Sequence, residues 1–102
     1  MTITIGGASL PTRKPKDLDE RLISATGCNA AETAVALGGF PIAGRVEAAL
    51  RPFLGEEAPS RVELAASIYE EMGKDGSTIV ADVLALYAST DAAAPASGGK
   101  AQ

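Results

Sequence analysis

Histidine is absent from the 102 residues, cysteine occurs once, at Cys28, and only Phe40, Phe53, Tyr69 and Tyr87 are aromatic. Each shortage excludes something. Without histidine the usual nitrogen-and-sulfur zinc sites are ruled out, and only an oxygen-ligand cation can be held. A single cysteine closes no internal disulfide. Hydrophobic residues make up 46% of the chain, but much of that is alanine, so one domain with a thin, closely packed core is expected. At roughly 25 cal/mol per Å² of buried apolar surface such a core leaves a narrow margin, and an oligomer or a bound partner is a natural source of further burial.

Long apolar runs are missing too. No window approaches the ~18 to 20 residues needed to span a bilayer, and the N-terminus lacks the pattern of a signal peptide. The expectation is a cytoplasmic protein without a membrane partner. Nine basic residues stand against thirteen acidic ones, a net charge of −4. That disfavours a nucleic-acid partner, which is usually announced by a basic face.

What the chain does have is a well-specified stretch from Ser60 to Tyr87 that reads as an antiparallel helical hairpin. Ser60 and Glu63 have the capping-box spacing, with Pro59 just ahead. Val62, Ala65, Ala66, Tyr69 and Met72 recur at helical spacing, widened by Leu64 and Ile68, and predict a buried face. Gly73 is the expected left-handed stop. Asp75 or Ser77 then caps a second helix carrying Ile79, Val80, Val83, Leu84, Leu86 and Tyr87.

Elsewhere the elements are shorter. Thr2-Ile3-Thr4-Ile5 closed by Gly6-Gly7 reads as a strand, and Ser9 to Arg13 either returns as a weak hairpin arm or leaves an open edge for another chain. Residues 1–16 form this strand with a basic, proline-bracketed linker, Pro11 to Lys16, read as solvated. Residues 17–88 form the helical domain. Asp17 caps a helix from Leu18 to about Thr26, with Leu18, Leu22 and Ile23 or Ala25 inward and Gly27 ending it. Asn29 with Glu32 caps Ala30 to Leu37, ended by Gly38-Gly39. Pro41 suits the first turn of a helix from about Ile42 to Arg51, stopped by Pro52. Phe53 and Leu54 then plug the core. Residues 89–102 have too little apolar bulk to offset ordering entropy and read as a disordered tail. The fold class is mainly α: four to five short helices, a short N-terminal strand or extended arm, and that tail.

Candidate chemistry is sparse. A nucleophile here needs a carboxylate or lysine base, and neither a Gly-x-Ser-x-Gly elbow nor a phosphate-binding glycine loop is present. The acidic groups Asp17, Asp19, Glu20 and Glu70, Glu71, Asp75 read as helix caps and solvated faces, and Cys28 as a small buried residue. No catalytic residue, metal site or cofactor is expected. A helix-turn-helix over Ala30 to Leu54 offers only Arg45 and Arg51 to DNA, with Glu47 opposing them, and its spacing fails at Gly44.

The order of parts, Thr2-Ile3-Thr4-Ile5-Gly6-Gly7 followed by the charged helix Asp17-Leu18-Asp19-Glu20-Arg21-Leu22 and several short helices, resembles small phage and prophage tail assembly chaperones. The resemblance implies a non-enzymatic assembly protein that holds a helical tape-measure protein in the host cytoplasm. Such a role needs an apolar groove, and Phe40, Ile42, Arg45, Val46, Leu50 and Phe53 are its candidates, with Ile3 and Ile5 as a strand for self-association or a protein partner. The chain departs from that pattern where Pro11 and Pro15 replace a longer strand pair. A different class is also compatible: a small acidic phage-encoded inhibitor using Glu56, Glu57, Glu70, Glu71 and Asp75 against a basic, nucleic-acid-binding protein surface.

Overall fold

Two strands and five helices follow one another in the computed structural model, which describes residues 2–89. They are β1 (Thr2–Ile5), β2 (Ala8–Pro11), α1 (Leu18–Thr26), α2 (Ala30–Gly39), α3 (Ala43–Leu50), a 3₁₀ turn (Arg51–Phe53), α4 (Arg61–Met72) and α5 (Ile79–Ala88). The chain is therefore mainly α, as its composition implies. The tail expected at 89–102 lies, apart from Ser89, outside the described residues.

Local chemistry explains most boundaries. Asn29 and Ser60 each form a complete capping box, with Glu32 and Glu63 at the third helical position. Gly6 and Gly7, at φ 61° and 83°, make a two-residue turn whose twist matches that of paired strands, so β1 and β2 close as an antiparallel hairpin, with Ile5 opposite Ala8 and Thr2 opposite Pro11. The weak return arm is thus real. It is no separate arm, since Ile3 and Ile5 belong to the same core as the helices.

Other expectations shift. Asp17 holds the N-cap position of α1 but makes no side-chain cap bond; its carboxylate instead pairs with Arg21 at 2.9 Å, one turn on. Asp19 reaches forward and accepts from the Ala30 amide at 2.8 Å, serving the start of α2. Ile23 and Ala25 face out, and Leu18 and Leu22 alone anchor α1. Gly38 and Gly39 are the last two residues of α2, which ends there with Phe40 as its C-cap. Pro41 stands outside α3, whose N-cap is Ile42. Gly73 is right-handed, at φ −81°, and the left-handed residue of that loop is Gly76. Thr78 holds the N-cap position of α5 without a side-chain cap bond, so neither Asp75 nor Ser77 occupies it.

The organising element is α3. It touches every other helix, and Val46, Ala49 and Leu50 are completely sealed. α4 lies mainly against α3 and α5 mainly against α2, so the α4–α5 hairpin is a consequence of docking on the middle of the chain. Pro52 ends α3 without opening the core: the chain tightens into the 3₁₀ turn and buries Phe53, which Tyr87 meets at 5.1 Å between ring centroids. The Tyr87 hydroxyl donates to the Ala49 carbonyl at 2.7 Å, and burial pushes its phenol well above the ordinary value.

Charged residues fasten the hairpin and the linker. Lys14 donates to the carbonyls of Tyr87 at 2.9 Å and Ser89 at 2.6 Å, neutralising the C-terminal end of α5. The linker is therefore not simply solvated. The Glu71 carboxylate accepts from the Gly6 amide at 3.1 Å and pairs with Lys74 at 3.3 Å. Those two contacts, the amide first, hold it below the usual carboxylate range.

Two outcomes are expected. Tyr87→Phe keeps the ring against Phe53 but loses the bond to Ala49, and denaturant unfolding should show a loss of about 1 kcal/mol; unchanged stability would contradict the contact. Because the folded Glu71 carboxyl has the lower pKa, its contribution is full above the unfolded pKa and is lost as pH falls through the folded one. Glu71→Gln should accordingly flatten the acid side of a stability-versus-pH curve, and an unaltered acid limb would show that the Gly6 contact carries no stability.

Candidate functional site

On a helical wheel the apolar residues of α4 cover a wide arc, broader than one packed face requires. Leu64 and Ile68, one turn apart, point into the core and are at most 1% exposed. The stripe Val62, Ala66 and Tyr69, expected to face inward, points out instead, with Val62 79% and Tyr69 73% exposed. Bulk decides between the two. Leu64 and Ile68 are the largest aliphatic pair on the helix, whereas Ala65 and Ala66 fill little space and Tyr69 keeps a hydroxyl that water can serve.

That outward turn creates a groove. The end of α4 supplies Tyr69, Glu70, Met72, Gly73 and Lys74, and the start of α3 supplies Pro41, Ile42 and Ala43, enclosing about 610 Å³ open to solvent. Pro41 and the extended Ile42 N-cap turn the chain sharply into α3, which leaves Ile42 on the surface instead of beneath the helix. Phe40, two residues earlier, is 68% exposed. Its ring lies 5.9 Å from the Arg45 guanidinium, which also donates to the Phe40 carbonyl. Arg45 thereby props the Phe40 turn beside the groove.

Of the residues singled out from sequence, Ile42 lines this groove, while Phe40 and Arg45 contact each other outside its lining. The structure removes the other five. Ile3 and Ile5 pack beneath the hairpin, and Val46, Leu50 and Phe53 are sealed in the core, so none of them reaches a partner from the folded state. Their alternation and helical spacing mark burial against this chain's own elements. Tyr69 and Val62 were missed as surface residues because their spacing is that of an inward face, whereas Met72 is half-buried and packs against the core as expected. The clue available was the competing Leu64–Ile68 pair.

Two further grooves flank the other side of the chain. The larger, about 920 Å³, runs between the linker residues Pro11 to Asp17 and the turn from Pro52 to Glu56. Its floor is tied by the Arg13 amide to the Phe53 carbonyl at 2.9 Å, and its Asp17–Arg21 pair is internally satisfied. Glu56 and Glu57 line the smaller neighbour, with Leu10 and Leu54. Of the acidic residues considered for a partner surface, Glu56 and Glu57 thus belong to one side and Glu70 to the groove at Ile42, while Glu71 is already engaged.

Arg45 of α3 and Arg51 of the 3₁₀ turn are similarly committed. Glu47, nearly sealed, pairs with Arg51 at 2.9 Å and lies 3.7 Å from Arg61. The acidic side chain read as opposing DNA is an internal anchor. Among the described residues there is no group of three potential metal ligands, and Cys28 is half-buried beside the start of α2. No family model, curated protein or solved structure matches this chain.

If the stripe is surface and the pair is core, substitution should separate them. Ile68→Ala is expected to cost about 2 to 5 kcal/mol, while Tyr69→Ser stays within about 0.5 kcal/mol. Denaturant unfolding of both variants checks this, and a larger loss for Tyr69→Ser would reverse the orientation of α4.

Proposed function

We propose that this chain is a non-enzymatic binding or assembly protein that holds an amphipathic helix of a protein partner in the groove between α3 and α4. The observation that carries the reading is the pair of large apolar side chains, Ile42 and Tyr69, left at the surface along a largely apolar depression. A helix laid there would cover Ile42, Tyr69 and Met72 with residues spaced one turn apart. A phage tail assembly chaperone, working in the host cytoplasm on a long helical partner, is the specific form of this proposal. It requires no metal and no cofactor.

Chemistry around the groove favours this over binding through charge. Glu70 and Lys74 stand on one wall, opposite in sign, and the walls between them are apolar. DNA binding has less support, because Arg51 is spent on Glu47 and Arg45 on the Phe40 turn. An acidic inhibitor would use Glu56 and Glu57, which lie with the other grooves.

Titration of the isotope-labelled protein with a synthetic amphipathic helix bearing leucines on one face and neutral residues on the other tests the proposal. Shift changes are expected at Ile42, Tyr69 and Met72, weakly dependent on salt, with binding reduced at least ~10-fold by Ile42→Asp. Shifts centred on Glu56 and Glu57 with a basic helix and strong salt dependence would favour the inhibitor reading instead. A titration without any change at the groove would refute the helix-holding function.

A further inference from the structure

The β1–β2 hairpin meets the helices through one strand only. β1 lies against α4 and α5, whereas β2 pairs with β1 alone and has no helix beside it. In an antiparallel pair closed by a two-residue turn, the residues flanking the turn exchange main-chain bonds and every second pair does so thereafter. Ile5 with Ala8 and Ile3 with Leu10 are therefore the bonded pairs, and Ser9 and Pro11 turn their main-chain groups away from β1. Ser9 is exposed, and its N–H and C=O meet no partner among the described residues. Pro11 offers a carbonyl only, so this open edge is short.

Beside the edge lies the smaller of the two grooves on this side, about 440 Å³ between Leu10 and Pro11 of β2 and the loop from Leu54 to Ala58. Its only charged side chains are Glu56 and Glu57, both exposed and neither ion-paired among the described residues. We propose that edge and groove together take an extended, basic segment of a protein partner, which adds to β2 as a third, antiparallel strand. The partner residue opposite Ser9 exchanges both main-chain bonds with it, and the residue two positions earlier donates its N–H to the Pro11 carbonyl. Side chains alternate along a strand, so the residue between those two stands opposite Leu10, on the face that turns Leu10 toward the core, and enters the groove. There a lysine or arginine lays its aliphatic stem on Leu10 and Leu54 and brings its charge to Glu56 and Glu57. A helix does not fit this edge, because its main-chain groups are already used internally and cannot serve Ser9. Two unpaired carboxylates select the sign of the partner's charge, and a second copy's β2, Ala8–Pro11, carries no charge to meet them. The groove at Ile42 shares no residue with this one, so the inference is independent of the helix-holding function.

Titration of the isotope-labelled full chain to millimolar concentrations of a capped seven-residue peptide, alternating threonine and valine with a central lysine, tests the proposal. The Ser9 amide is expected to shift and to exchange more slowly with solvent, with further shifts at Leu10, Leu54, Glu56 and Glu57. Glu56→Gln/Glu57→Gln, its fold checked by circular dichroism, should weaken binding at least ~10-fold, as should glutamate in place of the peptide's lysine. N-methylation of the threonine after the lysine removes the donor to the Ser9 carbonyl and should weaken binding similarly, a test that leaves the protein unaltered. A titration without change at Ser9 and Leu10 overturns the proposal. So does an N-methylated peptide that binds as tightly as its parent, which excludes strand addition, or a glutamate peptide that binds as tightly, which excludes selection for a basic segment.

Discussion

Burial of α3 is the constraint on which the rest of this molecule depends. Eight residues, Ala43–Leu50, are too few to hold a helix in water unaided, so α3 exists because every other helix packs on it. Its apolar side seals Val46, Ala49 and Leu50. Its polar groups fasten the remaining elements: the Ala49 carbonyl holds Tyr87 of α5, and the Glu47 carboxylate gathers Arg51 of the 3₁₀ turn and Arg61 of α4. Breaking one partner of a buried ion pair strands the other, so this anchor specifies where α4 begins as well as adding contact.

The exposed groove follows from that arrangement. α3 is short and meets α4 along one side, where Leu64 and Ile68 enter the core, and the hairpin comes against α4 through Glu71. Neither covers the outer part of the apolar arc. Tyr69 and Val62 are left to solvent, and the Pro41 turn brings Ile42 up beside Tyr69 and Met72. A small alanine-rich protein has little apolar surface to spare, and placing several of its larger side chains outside the core gives up stability that a partner would return on binding.

Several features decided by neighbouring residues were legible in the sequence, though the Asp17 cap bond, the place of Pro41 and the handedness of Gly73 were not. Both capping boxes, the extent of α1, the end of α3 before Pro52 and the positive-φ turn after Ile5 follow from side chains a few positions away. Features decided by distant residues were not. Which arc of α4 turns inward depends on α3, and the repeat of Val62, Ala65, Ala66, Tyr69 and Met72 has the same period whichever way it points. Lys14 reads as a linker charge until α5 ends beside it, and Glu47 as an exposed acid until Arg61 closes over it. Among the candidate partner residues nothing local separated exposed Phe40 and Ile42 from buried Phe53, since prolines and glycines flank all three.

Because the groove, and the function proposed for it, rest on the orientation of α4, nitration of the two tyrosines in the free protein is the most direct test. Tyr69 should react rapidly with a tyrosine-nitrating reagent, and Tyr87, packed in a tilted contact against Phe53 and bonded to Ala49, should resist until the chain unfolds. Peptide mapping that found Tyr69 protected and Tyr87 reactive would place the stripe of α4 inside the core and leave no surface for a partner helix.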